Sequence, residues 1–304
     1  MTVRHWLVIF LLGMGWGSSF FFNEILLREL GPVMVGLGRV GMGALGCWVW
    51  LVLRRKPWAV PRAAMVQLAV FGAFQYAIPL TIYPVMQQFI TSSAAGIVNA
   101  ITPIMVVLVS HVWPDGERAT PLKSVGVVLG FLGIVVMTVP SFQGQGPSNP
   151  WALIATISAP VCYGVALNLL RRMDAMDRTV LTAWSLSFGA LLIAPLALWA
   201  EGVPVITQAE TWGALAVIGF VLTSASFIVL FWLIPIVGAT TASTITFIAP
   251  ISAVLLGVLV LNETIGVFHI AGMGLIFAGL LFIDGRLARV FGARRARVDV
   301  QPKG

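Results

Sequence analysis

Long apolar runs separated by short polar turns set the pattern of this chain. A helix crossing the hydrocarbon core needs about 20 apolar residues at 1.5 Å each. Ten runs meet that length: 6–27, 33–53, 64–88, 92–113, 121–139, 151–170, 179–200, 212–233, 240–261 and 266–284. Strands of this length would need a closed barrel and alternating faces, whereas a helix satisfies its own backbone groups where lipid offers no partner. The first run is too long for the apolar stretch of a secretory signal, and no small-residue cleavage site follows it. The expected fold is an all-α integral membrane protein with ten transmembrane helices.

The pattern also repeats itself. The stretch TSSAAGIVNAITPIMVVLVSHVWPDGERATPLKSVGVVLGFLG, from Thr91 to Gly133, returns in the second half of the chain. A shift of 147 carries Pro103 onto Pro250, and after a one-residue deletion Glu117 falls on Glu263, Gly126 on Gly272 and Gly133 on Gly279. The same register places Trp16-Gly17 on Tyr163-Gly164, Pro57 on Pro204, Tyr76 on Thr223 and Asn99 on Thr246. A duplicated half is the simplest account. The expected units are 1–140 for the first repeat, 141–150 for an uncharged linker, 151–285 for the second repeat and 286–304 for a basic tail.

Composition agrees with a lipid solvent. Residues are 59% hydrophobic and 10% charged, with a mean hydropathy of +0.98, whereas soluble domains carry about 25% charged residues. The net charge of +7 matters through its placement. With the N-terminus in the cytoplasm, every Lys and Arg except Arg28 and Arg39 falls in a cytoplasmic segment. That asymmetry is a strong positive-inside signal and puts both termini in the cytoplasm. Five spans per half is an odd number, so the second half enters upside down and the two form an inverted repeat. The basic residues lie in short loops and the tail, which reads as an anchor on anionic lipid, not as a nucleic-acid surface. Cys47 and Cys162 sit inside apolar runs and read as small hydrophobes.

Chemistry is sparse. No Ser/His/Asp set, HExxH, paired cysteines, Walker lysine or phosphate loop appears, and nothing requires a metal or cofactor. Gly13-xxx-Gly17 and Gly126-xxx-Gly130 read as close helix packing. Arg39 lies about 9 Å into the second span; its expected role is structural or gating, paired with Glu24 or Glu29 or snorkelling outward, with a carboxylate contact as the functional alternative. Glu117 and Glu263 lie in turns, where capping the following helix is expected. His5, His111 and His269 lie near interfaces, and Trp58, Trp113, Trp151 and Trp212 mark span ends.

Counting from span starts brings Trp16, Tyr163, Tyr76, Thr223, Pro103 and Pro250 to the midplane. Each proline removes the hydrogen bond to the carbonyl four residues earlier, at Asn99 and Thr246. Such a carbonyl should face protein, water or substrate. Trp16, Tyr163, Tyr76, Thr223, Asn99 and Thr246, with Tyr83 as a further candidate, form the expected substrate-binding ring, and Pro103 and Pro250 the expected gating positions.

These residues carry a resemblance. GWGSSFFFNEIL with Arg39 and ITPIMVVLVSHVWPDGERATPLKSVGVVLGFLGIVVM in the first half, and FIAPISAVLLGVLVLNETIGVFHIAGMGLIFAGLLF in the second, resemble the EamA-type repeat of the drug/metabolite transporter superfamily. The second half lacks its own arginine, since Arg39 maps to Leu186. The resemblance implies ten helices, alternating access around a central cavity, and export of amino acids or other metabolites across a bacterial inner membrane. The aromatic midplane is compatible with an exporter of the aromatic-amino-acid type, because indole and phenol faces stack on rings and attract ammonium groups. The midplane holds no carboxylate, which favours facilitated diffusion or exchange over proton antiport. The alternatives are a multidrug or other metabolite carrier and a proton-coupled antiporter. A membrane enzyme or receptor would need chemistry that the midplane does not offer. The partners are a small molecule and lipid, and one chain holds both repeats, so a monomer can suffice. A reporter fused after Gly146 should report from outside the cell; a cytoplasmic signal there overturns the orientation.

Overall fold

A computed structural model describes residues 2–284, all helix, turn or coil, with no strand among them. The expected basic tail, 286–304, lies outside the described residues. Eight helices are long and apolar enough to span a membrane: α1 (Val3–Leu26), α2 (Pro32–Leu53), α3 (Arg62–Gln87), α4 (Ser92–Val112), α5 (Pro121–Phe142), α6 (Pro150–Leu170), α7 (Arg178–Glu201) and α8 (Ala209–Val237). Two shorter apolar helices follow, α9 (Ile245–Leu259) and α10 (Val267–Ile283). The ten expected spans are therefore all helical.

Local chemistry starts these helices where the sequence changes character. Thr91 caps α4 by accepting from the Ala94 N–H at 3.2 Å, and Asn149 caps α6 by accepting from the Trp151 N–H at 2.9 Å. Pro32, Pro121 and Pro150 occupy first-turn positions, where a missing N–H costs nothing.

Not every apolar run is one regular helix. α3 passes through a π-helical segment, Ala73–Ala77, and α8 through another, Val217–Ala225. The 147-residue register lays the first inside the second. α4 breaks at Ala100–Ile101 into Ser92–Asn99 and Thr102–Val112, with Pro103 in the first turn of the second piece. In the second half the break falls earlier. A helical turn, Ala239–Ala242, precedes α9, and Pro250 stays inside the helix.

Packing between the halves shows their relative direction. Gly126 on α5 stands against Gly279 on α10, and Gly133 against Gly272. Position rises along one helix as it falls along the other, so α5 and α10 run antiparallel. The contact is also reciprocal under the repeat. A Cβ built on Gly133 would lie 2.6 Å from the Gly272 carbonyl oxygen, and one on Gly272 2.6 Å from that of Gly133. The register carries the Gly126–Gly279 contact onto Gly272–Gly133, so the two contacts are mates across a pseudo-two-fold axis. Elsewhere Gly17 abuts the Ala249 carbonyl of α9, while its mate Gly164 abuts the Met105 carbonyl of α4. In lipid, where apolar burial gives no drive, such backbone proximity is what holds helices together.

The buried hydrophobic residues fall into three clusters. One joins α1, α2, α3, α7 and α8 around Leu51, Leu68 and Leu186. A second joins α3 to α6 with α9 and α10 around Ile97, Ile104 and Met137. A small third one pins α1 to α8 and α9 through Ile9, Leu233 and Ile245. Cys47 and Cys162 are buried and free. Gly272→Ala should cost about 1–3 kcal/mol, because the backbone of α5 must retreat. Gly274, with nothing within 4 Å of a built Cβ, should accept alanine at no loss. Thermal unfolding in detergent checks the pair; equal stability of the two variants would contradict the close packing.

Candidate functional site: a midplane cavity between the halves

A cavity of about 280 Å³ opens where the three clusters meet. Tyr76 belongs to the first, Tyr83 to the second, and Trp16 packs against the third. All seven expected ring residues line it: Trp16, Tyr76, Tyr83, Asn99, Tyr163, Thr223 and Thr246. The three mated pairs therefore line one space. Arg39 lines it as well.

The irregular backbone places these groups. Tyr76 and Thr223 sit in the two π-segments, a geometry that recurs at functional positions. The Thr223 hydroxyl donates to the Ile218 carbonyl five residues back at 2.8 Å. Tyr83 donates to the Asn99 side-chain oxygen at 2.7 Å and meets Phe20 edge to face. Tyr76 packs edge-on against Phe71 and Phe227. The indole N–H of Trp16 goes to the Ser226 hydroxyl at 3.0 Å, so Trp16 offers the cavity its ring and not its donor. Tyr163 and Gln75 line the space with no hydrogen-bond partner among the described residues.

Four expectations change. The carbonyl that Pro103 was expected to free, on Asn99, accepts from the Thr102 hydroxyl at 2.7 Å. That threonine lies three residues on, so this carbonyl has a protein partner. The Thr246 hydroxyl, on a residue of the expected ring, donates to the Ser243 carbonyl at 2.7 Å. Arg39 neither pairs with Glu24 or Glu29 nor snorkels. It is 9% exposed and donates to the Thr223 and Ser19 hydroxyls, because α2 faces α1 and α8 at that depth. Glu263 does not cap the helix that follows it. Its oxygens accept from the Ser92 N–H at 2.7 Å and the Ser93 N–H at 2.9 Å, at the start of α4 in the other half. Glu117 instead pairs with Lys123 in an exposed turn.

The sequence pattern had one further signal to offer. Ser19 and Phe20 lie three and four residues after Trp16, Thr102 three after Asn99, Leu167 four after Tyr163, Phe227 four after Thr223 and Ala249 three after Thr246. These are the same-face helical neighbours of the expected ring. Gln75, beside Tyr76, is reached only because the π-turn widens that face. Among the described residues no three His, Cys, Asp or Glu side chains gather as a metal would require.

At the end of the bundle that carries the 140–150 linker, the cavity is closed. One turn beyond Phe20 and Tyr83, Asn23 donates to Gln87 at 2.8 Å, and Gln87 donates to the Phe20 carbonyl and the Ser92 hydroxyl. Further out, three carboxylates cross between the halves onto helix N-termini. Glu263 holds α4. Glu201 accepts from the Val33 and Met34 N–H groups of α2 at 2.9 and 2.8 Å. Glu29 accepts from Thr207, Gln208 and Thr211 at the start of α8. Anions at helix N-termini are favoured by the dipole and by unpaired N–H groups. The Thr207 and Thr211 hydroxyls hold the Glu29 carboxyl below the usual carboxylate range.

Residues 5–139 and 150–284 each match the EamA-like transporter family. The chain belongs to this family. Among similar proteins of the family's kind, the "Uncharacterized transporter YoaV" of Bacillus subtilis (strain 168) is 23% identical over 87% of this chain and 91% of its own. The "Uncharacterized inner membrane transporter YedA" of Escherichia coli (strain K12) is 25% identical over 91% and 90%. A solved crystal structure superposes with a TM-score of 0.65 at 19% identity, covering 93% of this chain and 98% of the other, which is a likeness of fold. This EamA-family chain is a multi-pass membrane protein of the drug/metabolite transporter superfamily.

The seal makes a testable claim. In a chain with Cys47→Ala, Cys162→Ala and Gln75→Cys, adding Glu263→Gln should raise labelling by a charged thiol reagent from the linker side about three- to tenfold, the worth of a helix-terminal anion. An unchanged rate would show that Glu263 does not hold the closure.

Proposed function

We propose that the chain is a secondary exporter of amino acids, aromatic or otherwise neutral, or of similar small amphiphiles. It works in a bacterial inner membrane by alternating access around the midplane cavity. The observation that carries the reading is that three repeat-mated pairs, Trp16/Tyr163, Tyr76/Thr223 and Asn99/Thr246, surround one cavity between two halves. Family membership supports transport in general, and relatives named as inner membrane transporters support the location. Trp16, Tyr76, Tyr83, Asn99, Tyr163, Thr223 and Thr246 contact the substrate, with rings to stack on and few polar groups to orient it. At about 280 Å³ the cavity falls at the small end of ligand pockets, roughly 300–1,000 Å³, which favours an amino acid over a bulky drug.

The cavity wall carries no Asp, Glu or His among the described residues. That supports facilitated diffusion or exchange over proton antiport, and carriage over catalysis. The charge asymmetry of the loops puts the sealed, linker-bearing end outside, so this state is the one that receives substrate from the cytoplasm. The halves 1–140 and 151–285 then rock against each other, with Pro103 beside the break in α4 and Pro250 inside α9 as the gating positions.

The repeat supports that motion in one further way. Glu263 holds residues 92–93, and the same register maps Glu263 to Glu117 and 92–93 to 239–240. Glu117 is free of that contact here, paired with Lys123 instead. In the opposite state Glu117 takes residues 239–240 and Glu263 lets go. A seal that forms at one end as it breaks at the other is what alternating access requires.

Reconstituted protein should show saturable counterflow of labelled amino acids, and Trp16→Ala and Tyr163→Ala should each reduce it about fivefold or more, since a lost stacking face is worth about 1 kcal/mol. Well-folded protein that moves no amino acid would overturn the reading. Strong stimulation by an imposed pH gradient would overturn facilitated diffusion while leaving transport intact.

A further inference from the structure

The cavity wall contains one cationic side chain, and only its Nε–H and one Nη2 hydrogen have protein partners among the described residues. The Arg39 guanidinium donates through Nε to Thr223 Oγ1 at 3.2 Å and through Nη2 to Ser19 Oγ at 3.1 Å. Both partners are neutral. The Thr223 hydroxyl hydrogen is committed to the Ile218 carbonyl, so Thr223 presents a lone pair to Nε. These bonds use one edge of the guanidinium, the edge formed by Nε–H and one Nη2 hydrogen. The other edge, Nη1 with the second Nη2 hydrogen, is a fork that takes a carboxylate through two parallel bonds.

That second edge has no protein partner among the described residues. Nη1 is not among the walled-in polar atoms that lack a bond, so it opens on the cavity that Arg39 lines. The described ion pairs leave Arg39 out. The lining holds no Asp, Glu, Lys or His. A buried cation held only by hydroxyls is costly, and the cost is recovered when an anion completes its shell. The held edge fixes the plane and direction of the guanidinium before any ligand arrives, so little freedom is lost on binding.

The rest of the wall defines what the anion must carry. Trp16, Phe20, Tyr76, Tyr83, Tyr163 and Phe227 supply an aromatic sleeve around the fork. An ammonium finds ring faces and neutral oxygens there, but no counter-charge, and it shares the space with an uncompensated guanidinium. A carboxylate therefore contributes to recognition and an amine does not.

We propose that Arg39 is the carboxylate-recognition residue of the cavity, and that the substrate class is small monocarboxylates with an apolar body, read by the acid end. Amino acids belong to the class through their carboxylate. The proposal rests on the cavity's being the ligand site of the proposed function, and it makes a claim that transport alone does not: the amino group is dispensable and the carboxylate is not.

The test compares ligands that differ at one end, on the full chain purified in detergent, by calorimetry, and on the same protein in liposomes, by inhibition of counterflow. L-Phenylalanine and 3-phenylpropionate should bind within a few-fold of each other. L-Phenylalaninamide and 2-phenylethylamine should bind at least about tenfold more weakly, the worth of a charge-assisted bidentate pair. Arg39→Gln should remove that preference by weakening the acids about tenfold and leaving the amine unchanged. Arg39→Lys keeps the charge without the fork and should fall between. Amine and amide binding as well as the acids would overturn the proposal, as would undiminished acid binding by folded Arg39→Gln protein or no binding of any acid. If the Arg39 variants do not fold, the ligand series on the unaltered chain decides alone. Acid-selective binding without counterflow would sink the transport reading and keep this one; counterflow indifferent to the carboxylate would do the reverse.

Discussion

A polar group facing hydrocarbon has no water to fall back on, and the architecture follows from that constraint. Ten helices satisfy it by closing their own ladders. Wherever a ladder opens, the chain supplies a local substitute or turns the opening towards the cavity. The π-segment of α8 is bridged by the Thr223 hydroxyl, the break in α4 by the Thr102 hydroxyl, and the start of α9 by the Thr246 hydroxyl. Irregular backbone in a membrane is tolerated inside protein or along a cavity, so the interruptions and the cavity coincide.

The same constraint explains how the halves adhere. Apolar side chains have nothing to gain by leaving lipid for one another, so contact depends on close approach and on polar closure at the ends. Glycine pairs bring α5 and α10 together at backbone distance. Glu29, Glu201 and Glu263 close the linker end by filling helix N-termini of the opposite half. Of the three, Glu263 alone has a glutamate mate under the repeat, Glu117. Arg39 departs from the rule, since its charged shell is left incomplete.

Much of the cavity's lining was legible beforehand, for a reason particular to inverted repeats. Symmetry mates must lie at mirrored depths, so residues such as Trp16 and Tyr163 announce a shared plane through register alone. Their helical neighbours Ser19, Phe20 and Phe227 carried the same information three and four positions on. What misled was local reasoning about open bonds. Pro103 does remove a donor, but whether Asn99 is left open depended on a threonine three residues along and on where the helix breaks. Glu263 sits before α10 in the chain, yet the N-terminus nearest to it in space belongs to α4.

Hydropathy, charge and repetition, all one-dimensional properties, determined the class of protein, the number and type of its spans and the duplication, because lipid penalises every alternative so heavily. The tertiary structure alone decided which side chains meet. Arg39 could as well have paired with Glu24 or Glu29 by distance along the chain. Only the packing of α2 against α1 and α8 turned it inward, onto Ser19 and Thr223 and away from both carboxylates. In a low-dielectric interior the partner of a charge is set by contact over a few ångströms, and contacts between helices distant in sequence are what a linear reading cannot see.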